Sequence, residues 1–366
     1  YQRRVRGCFG MTEQDNEVEK QVLKKYDIVH KVGKGAYGIV WKATNKKSGD
    51  PVALKKIFSA FQNETDAQRT YREVLFLTQF NHPNVVRLQN VIKATNDMDI
   101  YLIFDYMESD LHKVIQAGIL QEPHRQYILY QLLKAIKYLH AGNLLHRDLK
   151  PSNCLLDQLC DLKLCDFGLA RTLESASKEA ANPVYTDYVA TRWYRPPELL
   201  LGSPNYDKPV DMWAIGCILG EMLMKKPLFP GASATSQIEL VLQATGRPSD
   251  DDLKSLNSPY ASAMLEQLPE QPKKSFREMM PKATDEALDL LSKLLVFNPN
   301  KRLTVEQCLA HPYFKEFRQI NAEIVPDGNF KLGLDDNKKF SLQEYRESLY
   351  NEIQARKKQA KENRDE

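Results

Sequence analysis

Residues 146–153, with the sequence HRDLKPSN, carry acidic, basic and amide side chains, and a DFG triplet begins thirteen residues after Asn153. A carboxylate at Asp148 can accept a proton, while the ammonium of Lys150 can offset negative charge. Asn153 and Asp166 supply the oxygen ligands that a hard cation such as Mg²⁺ prefers. Phosphoryl transfer requires these groups because it depends on positioning and charge neutralisation. The paired motifs therefore predict phosphoryl transfer.

A glycine-rich run, GKGAYGIV, occupies residues 33–40 and has the spacing of a loop that covers nucleotide phosphates. The same spacing occurs in dinucleotide-binding folds, where a helix must follow the third glycine. Here Ile39, Val40 and Trp41 favour a strand instead. An ordinary hairpin is an equally good reading of the motif when it is taken alone. The run is therefore typical of a strand, a phosphate-binding loop and a second strand.

The next strand contains the sequence VALK, which places Lys55 where its ammonium can meet phosphate oxygens. Glu73, in the helix expected after it, can hold that ammonium in place. The alternative for Glu73 is a surface pair with Arg69, one helical turn away, which contributes only a few tenths of a kcal/mol. The order of the motifs along the chain favours the pair with Lys55.

These residues need strands in the first part of the chain and helices in the rest. Residues rich in β-branched side chains predict strands, and an apolar face at helical spacing predicts helices. The strands are expected at residues 27–32, 39–43, 51–56, 85–88 and 100–104. The helices are expected at residues 65–80, with Thr65 as N-cap, and at 123–140, 211–224 and 285–295. Tyr345, Leu349 and Ile353, spaced by four, predict an amphipathic helix over residues 341–353.

The chain has 366 residues, 42% hydrophobic and 27% charged, which suits two domains with a sizeable core. Lys and Arg number 51 against 48 for Asp and Glu, so charge gives no reason to invoke nucleic acid. No apolar run has the length of a membrane span. The six cysteines lack zinc-site or disulfide-framework spacing and predict reduced thiols, hence a cytoplasmic or nuclear protein. Residues 1–10 lack an apolar signal segment and are expected to be disordered or an expression remnant, with a basic arm as the alternative.

Taken together, the glycine loop, Lys55, Glu73, HRDLKPSN and DFG resemble the protein kinase family. The resemblance implies an α+β, bilobal protein-kinase fold, with a small β-rich N-lobe and a larger α-helical C-lobe, and serine/threonine phosphorylation with ATP and Mg²⁺. It implies that Asp148 and Lys150 are catalytic, with Lys55 and Glu73, and that Asn153 and Asp166 bind the metal. It also implies that backbone groups of Asp105 and Met107 contact adenine, that Asp110 meets the ribose and that Phe104 is the gatekeeper. The implied ATP-binding residues are Val32, Gly33, Lys34, Gly35, Ala36, Tyr37, Gly38, Val40, Ala53, Lys55, Phe104, Asp105, Met107, Asp110 and Leu155.

The tripeptide TDY at residues 186–188, followed by VATRWYR, resembles the activation segment of MAP kinases. That resemblance implies phosphorylation of Thr186 and Tyr188, which adds charge that arginines can bind. The implied phosphate-pairing residues are Arg72, Arg147 and Arg171 for Thr186, and Arg192 and Arg195 for Tyr188. Residues 58–70 and 216–222 are similar to the atypical ERK branch, the one numbered seven and eight.

The resemblance also implies the domain organisation. We expect an N-terminal extension over residues 1–25, an N-lobe over 26–105 and a C-lobe over 106–320, with a MAP-kinase insert near 231–275. Residues 321–366 are expected to form a C-terminal extension that packs back on the N-lobe.

Three departures from the family pattern matter. The usual APE is PPE at residues 196–198, but Glu198 is retained and is expected to pair with Arg302. Asp187 stands where animal ERKs carry Glu. The acidic residues expected after residue 313 are replaced by QINA at residues 319–322, which puts the docking of basic peptide motifs in doubt.

Two other functions compete with an active MAP kinase. A catalytically dead scaffold would lack Lys55, Asp148 or Asp166, and all three are present. A cyclin-dependent kinase would lack the TDY pair, and its helix before Glu73 would have a different sequence. The preferred reading implies protein substrates with Ser/Thr-Pro sites and a role in signal transduction, with no nucleic-acid partner.

Overall fold

The computed structural model describes residues 18–35, 38–180, 189–203, 207–270, 272–317 and 324–365. Some sequence predictions therefore lie outside the described residues. They are those for residues 1–10, Ala36, Tyr37, Thr186, Tyr188 and the docking region at 319–323.

Strands dominate the first part of the chain and helices the remainder. The strands are β1 Tyr26–Gly35, β2 Gly38–Asn45, β3 Pro51–Ile57, β4 Leu88–Lys93, β5 Ile100–Asp105, β6 Ser109–Asp110, β7 Leu144–Leu145, β8 Cys154–Leu156, β9 Leu162–Leu164 and β10 Arg171–Thr172. The helices are α1 Lys20–Leu23, α2 Glu64–Leu77, α3 Leu111–Ala117, α4 Glu122–Ala141, α5 Leu173–Ala180, α6 Pro197–Leu200, α7 Pro209–Met224, α8 Ala234–Thr245, α9 Asp250–Ser255, α10 Ala261–Glu266, α11 Phe276–Met279, α12 Asp285–Leu294, α13 Val305–Leu309 and α14 Leu342–Asp365. The α+β class predicted from the sequence is confirmed.

The chain divides into two compact units built from discontinuous stretches. The first unit comprises Tyr1–Val74, Arg87–Tyr106 and Lys339–Glu366, and the second comprises Leu75–Val86 and Met107–Lys338. The domain ranges expected from the sequence stay predictions.

The first unit contains an antiparallel five-stranded sheet with the order β1-β2-β3-β5-β4. Trp41, Leu54 and Tyr101 are fully buried beside it because alternate strand residues point to one face. The strand predicted at residues 85–88 is wrong, since β4 begins at Leu88. Val85 instead forms an isolated bridge with Leu164, in the second unit.

Helix α2 begins one residue earlier than predicted. The Oδ1 atom of Asn63 accepts the backbone N–H of Asp66 at 2.9 Å, so Asn63 satisfies a donor of the first turn. The prediction of Thr65 as N-cap is wrong because Thr65 already lies inside the helix. Asparagine and threonine are both good caps, and Asn63 stands two positions before Thr65.

Helix α14 packs against α2 within the first unit. Tyr345, Leu349 and Ile353 are buried, which confirms the predicted amphipathic face. The ring of Tyr345 lies 5.6 Å from that of Tyr71, and the Oγ atom of Ser348 lies 3.2 Å from the Tyr71 hydroxyl. The helix extends to Asp365, beyond the predicted end at residue 353.

The second unit is built around α4 and α7, whose apolar side chains are mostly buried. A buried ion pair joins distant parts of it, since the guanidinium of Arg302 donates to both carboxylate oxygens of Glu198 at 2.7 and 2.6 Å. The expected pairing of Glu198 thus occurs despite the departure from the family pattern at residue 196. Among the described residues, no helix combines the length and the apolar composition that a membrane span needs.

Candidate active site

The loop that carries Asp148 is held from below by a buried carboxylate. Asp211, at the start of α7, accepts the backbone N–H groups of His146 at 3.0 Å and Arg147 at 2.9 Å. The Nε2 atom of His140 lies 2.9 Å from the same carboxylate. Burial opposes ionisation of Asp211, but the contacts with His140, His146 and the Arg147 amide outweigh it and lower the pKa of the carboxyl.

The contacts with Asp211 hold a strained backbone conformation at Arg147. Arg147 has φ of 68°, a left-handed conformation that costs free energy in a residue other than glycine. His146 is fully buried, its ring centroid lies 5.0 Å from that of Phe167, and its Nε2 atom lies 3.1 Å from the Cys165 carbonyl oxygen. The loop is therefore held in one conformation, with His146 packed beneath it.

Asp148, Lys150 and Asn153 come together as one cluster. The Nζ atom of Lys150 lies 2.8 Å from Oδ2 of Asp148, and the Asn153 amide donates to the same oxygen at 3.2 Å. The other oxygen, Oδ1 of Asp148, is buried and has no hydrogen-bond partner among the described residues. A buried acceptor without a donor costs free energy, so this oxygen is suited to an incoming hydroxyl group.

The side chains expected to bind the metal fit a hard cation. The Nδ2 atom of Asn153 donates to the Asp148 carbonyl oxygen at 2.8 Å, which leaves the amide oxygen Oδ1 as the acceptor end. The Asn153 carbonyl oxygen also accepts the N–H of Cys165, the residue before Asp166, at 2.9 Å. One amide oxygen and one carboxylate are ligands that Mg²⁺ takes together with phosphate oxygens.

Cys165, immediately before the DFG triplet, lies outside the preceding strand. Strand β9 ends at Leu164, and Cys165 is partly exposed. The chain turns here because the next residue, Asp166, has φ of 65°.

In the first unit, Lys55 on β3 forms an ion pair with Glu73 on α2. The Nζ and Oε1 atoms lie 2.8 Å apart, and the Glu73 side chain is only 8% exposed. Lys55 lies opposite Val40 in the register of β2 and β3, next to the glycine-rich hairpin. The ion pair with Lys55 compensates the charge of the buried Glu73 carboxylate.

The glycine-rich run is the hairpin between β1 and β2, since Gly35 pairs with Gly38. A strand follows the third glycine, which excludes the dinucleotide-binding alternative. Gly38 has no room for a side chain, because a Cβ atom there would lie 2.0 Å from the Lys56 carbonyl oxygen. Gly33 and Gly35 face open space. Close backbone approach thus requires glycine at the third position alone.

The remaining ATP-binding candidates lie on strands of their own units or next to them. Val32 is 41% exposed, unusual for an apolar strand residue, whereas Phe104 is 8% exposed. The carboxylate of Asp105 accepts from Arg87 at 2.8 Å, so only its backbone remains for an adenine contact. Asp110 caps α3 by accepting the N–H of Lys113 at 3.0 Å. The other candidates are Lys34 and Met107, with Val40, Ala53 and Leu155 half-buried.

The arginines expected to bind phosphate have different surroundings. Arg72 is buried on α2, and Arg171 on β10 forms an ion pair with Asp336 at 3.2 Å. Arg192 donates to the Ala232 carbonyl oxygen at 3.4 Å, and Arg195 closes a turn with its N–H on the Arg192 carbonyl oxygen. All five arginines lie among the described residues, and their roles stay predictions.

Two supporting carboxylates were not found from the sequence. Asp211 has no local motif to mark it, since its partners are backbone N–H groups more than sixty positions away. Glu221 accepts the hydroxyl of Tyr194 at 2.6 Å, and burial raises its pKa although Tyr194 and His112 oppose the shift. Both residues are acidic and lie in the otherwise apolar helix α7, and this contrast was the sequence signal that could have identified them as buried carboxylates.

Comparisons with known proteins agree with this geometry. The model of the protein kinase domain matches residues 26–314. The chain is 56% identical over 345 residues to extracellular signal-regulated kinase 2 of Dictyostelium discoideum, covering 94% of each chain. It is 54% identical over 344 residues to mitogen-activated protein kinase 15 of Xenopus laevis, covering 93% of this chain and 59% of that one. It is 47% identical over 340 residues to extracellular signal-regulated kinase 7 of Drosophila melanogaster, covering 91% of this chain and 37% of that one.

The chain matches the kinase domain model and is more than 45% identical to these kinases over about nine-tenths of its length. The catalytic loop, the Lys55–Glu73 ion pair and the glycine-rich hairpin agree with that assignment. The chain belongs to the protein kinase family and, within it, to the MAP kinases, which makes it a serine/threonine protein kinase.

Proposed function

We propose that this kinase uses Mg-ATP to phosphorylate serine or threonine followed by proline. The observation that carries the phosphoryl-transfer part is the buried Oδ1 atom of Asp148, which has no hydrogen-bond donor among the described residues. The other oxygen of the same carboxylate, Oδ2, accepts from Lys150 and Asn153. The preference for proline rests on the likeness of residues 189–195 to the MAP-kinase segment.

Asp148 receives the substrate hydroxyl at Oδ1 and accepts its proton as the phosphoryl group is transferred. Lys150, anchored on Oδ2 of the same carboxylate, offsets negative charge on the transferring group. Lys55, oriented by Glu73, holds the nucleotide phosphates. Asn153 and Asp166 are the residues that hold Mg²⁺, which when bound neutralises charge on phosphate oxygens.

The preference for proline has a physical cause in the proposed segment. An arginine of the segment occupies the acceptor that a substrate N–H would otherwise use, so a following residue with an N–H leaves that donor unsatisfied. An unsatisfied buried donor costs about 1–3 kcal/mol. Proline has no N–H and avoids this cost.

Activation is proposed to follow phosphorylation of Thr186 and Tyr188, whose phosphates pair with the five arginines. We propose that the protein phosphorylates these residues itself, since QINA replaces the acidic docking residues at 319–322. We also propose a cytoplasmic or nuclear location, which follows from the cysteine pattern.

The substrate preference is tested with three peptides that differ only after the phosphorylated serine, where they carry proline, alanine or N-methylalanine. We expect kcat/KM for proline to exceed that for alanine by at least about tenfold, which corresponds to about 1.4 kcal/mol. N-methylalanine also lacks the N–H and should recover most of the rate. Equal rates for proline and alanine would refute proline direction, and a slow N-methylalanine peptide would refute the N–H explanation.

A further inference from the structure

Two serines in the sequence are followed directly by proline, Ser203 and Ser258, and no threonine is. The hydroxyl groups of these two serines form one contact from opposite sides. The Oγ atom of Ser203 donates to the Leu256 carbonyl oxygen at 2.5 Å. The Oγ atom of Ser258 donates to the Leu201 carbonyl oxygen at the same distance, 2.5 Å. Residues 256–260, here called the insert loop, are therefore joined to the residues that follow α6 by a reciprocal pair of hydrogen bonds.

The two serines differ in how well a second molecule can reach them. Ser203 is 8% exposed, and its hydrogen bond to Leu256 is buried. Ser258 is partly exposed, and the side chains of Pro259 and Tyr260 after it are exposed, that of Tyr260 to 63%. The insert loop lies between the end of α9 and the start of α10. Because binding occurs preferentially on exposed loops, Ser258 is the accessible serine of the pair.

A phosphate on Ser258 would replace a hydrogen-bond donor with a group of acceptors. The Leu201 carbonyl oxygen accepts the Ser258 hydroxyl, and Leu201 is fully buried. The ester oxygen of phosphoserine carries no hydrogen, and the phosphate adds nearly two negative charges. The Leu201 carbonyl oxygen would then lose this donor, and a buried acceptor without a donor costs free energy. Phosphorylation of Ser258 is therefore incompatible with the hydrogen bond that holds this side of the insert loop.

The surroundings of Ser258 offer room for a phosphate. An open cavity of about 550 Å³ lies beside Ser258, and Asp250 and Lys254 are among the residues that line it. The ammonium of Lys254 lies 3.5 Å from the Asp251 carboxylate, and both side chains are exposed. Such an exposed ion pair contributes little to stability, so Lys254 can exchange Asp251 for a phosphate. Asp250 repels a phosphate in the same cavity, which favours movement of the insert loop towards solvent.

We propose that one copy of this kinase phosphorylates Ser258 of another copy, and that the phosphate releases the insert loop from the residues after α6. The inference rests on the proposed phosphorylation of serine before proline. In this step the bond from the γ-phosphorus of ATP to its bridging oxygen breaks, and a bond from phosphorus to Oγ of Ser258 forms. The hydroxyl proton passes to Asp148, and ADP leaves. The phosphate comes from a second copy because Ser258 and Asp148 are each fixed by hydrogen bonds within one compact unit.

Transfer between copies is tested with two proteins that differ in mass. Wild-type protein and Mg-ATP are incubated with isotopically labelled Asp148→Asn protein, which lacks the proposed base, so phosphate on the labelled copy comes from the wild type. Mass spectrometry of the labelled peptides should find phosphate on Ser258, and at least about tenfold less on Ser203 and on Ser262. Ser262 is the matched control because it is exposed but followed by alanine. No phosphate on Ser258, or equal phosphate on Ser262, would overturn the proposal.

The need for proline is tested by adding Pro259→Ala to the labelled copy. The rate of Ser258 phosphorylation should fall at least about tenfold, because alanine restores the N–H that proline lacks. Pro269→Ala makes the same change at another exposed proline and should leave the rate unchanged. An undiminished rate in Pro259→Ala would overturn recognition of Ser258 as a serine before proline.

Release of the insert loop is tested by hydrogen exchange. The amides of residues 256–258 should exchange at least about fivefold faster when Ser258 carries phosphate, because local opening becomes easier. Ser258→Ala removes the same donor without adding charge and should also accelerate their exchange, whereas Ser262→Ala should match the wild type. Unchanged exchange in the phosphorylated protein would overturn the release, and unchanged exchange in Ser258→Ala would show that the Ser258 hydroxyl does not hold the loop.

A peptide with serine before proline separates this inference from the function on which it rests. If the wild-type protein phosphorylates the peptide and leaves Ser258 unmodified, only the inference about Ser258 fails. If it phosphorylates neither the peptide nor Ser258, the proposed function fails and the inference falls with it.

Discussion

At the scale of single residues, Asp148 shows how unequal the two oxygens of one carboxylate can be. Oδ2 receives Lys150 and Asn153, whereas Oδ1 is buried without a partner among the described residues. The neighbouring donors therefore orient the Asp148 carboxylate through Oδ2, and Oδ1 remains available for the substrate hydroxyl. This division can be tested by removing the charge while keeping the shape.

Asp148→Asn should lower kcat by at least about two orders of magnitude, the scale of a general base or positioning group. ATP binding should remain nearly unchanged, since Asp148 is not among the residues assigned to the nucleotide. The measurement is steady-state turnover together with ATP titration. Asp251→Asn, at a side chain that is 90% exposed, is the matched control and should behave as wild type. Wild-type turnover in Asp148→Asn would show that the role is misassigned.

His82 makes the free energy of unfolding decrease as the pH falls, whereas a histidine whose pKa is raised by a partner has the opposite effect. Burial, with Lys134 and Lys163 nearby, lowers the pKa of His82 to about 4. In the unfolded chain His82 has a pKa near 6.5, so between about pH 4 and pH 6.5 it binds a proton there that it does not bind in the folded protein. The contribution of His82 is fully present above pH 6.5 and is lost as the pH falls from 6.5 towards 4.

The Nδ1 atom of His82 accepts the N–H of Asn84 at 3.0 Å, a contact that asparagine can also make. His82→Asn should therefore lose about 1–2 kcal/mol less free energy of unfolding than the wild type between pH 7 and pH 5. Urea unfolding at the two pH values measures this difference. Parallel losses in the two proteins would show that His82 titrates normally in the folded state.

At the scale of elements, helix α14 completes the core of the first unit. Leu349 is fully buried on the face that meets α2, and Leu349→Ala should lower the free energy of unfolding by about 2–5 kcal/mol. Gln354→Ala, on the exposed face of the same helix, should have almost no effect. Denaturant unfolding followed by circular dichroism makes the comparison. Equal stability of the two variants would mean that α14 does not contribute to the core in solution.

The elements also show what a sequence pattern can predict. Strands β1, β2, β3 and β5 and helices α4, α7 and α12 could be predicted because their apolar residues repeat at the strand or helix period. Residues 85–88 have the composition of a strand, but they do not form one. Val85 forms an isolated bridge with Leu164, and the N–H of Val86 donates to the Leu164 carbonyl oxygen, both within the second unit. The period of the apolar residues predicts that a residue is buried, but it does not predict which neighbouring element the residue packs against.

At the scale of the whole molecule, the proposed self-activation predicts a modification pattern. Protein expressed in bacteria should carry phosphate on Thr186, Tyr188 or both, because the chain itself supplies the active site. Lys55→Arg, which disturbs the pair with Glu73, should carry none. Mass spectrometry of the two proteins decides the matter. Phosphate on the Lys55→Arg protein would point to a contaminating kinase, and an unmodified wild type that only an added kinase activates would defeat self-activation.

Much of the candidate site was predictable because Asp148, Asn153 and Asp166 lie in short motifs of one loop region. Asp211 and Asp336 were not, since each acts on a partner more than sixty positions away in the chain. Such contacts depend on tertiary packing, and no local pattern records them. The family resemblance supplied roles for residues in motifs and none for these two.

The packing of α14 on α2 has a consequence for synthesis on the ribosome. The hydroxyl groups of Tyr71 and Ser348 meet across 277 positions of sequence, so α2 is translated long before the helix that covers it. At a synthesis rate of 5–20 residues per second, the apolar face of α2 around Tyr71 remains exposed for about 15–55 s before α14 is synthesised. During that interval the nascent chain presents a hydrophobic surface of the kind that chaperones bind. Ribosomes stalled before residue 342 should therefore retain chaperone on the first unit, and chains released with α14 should not.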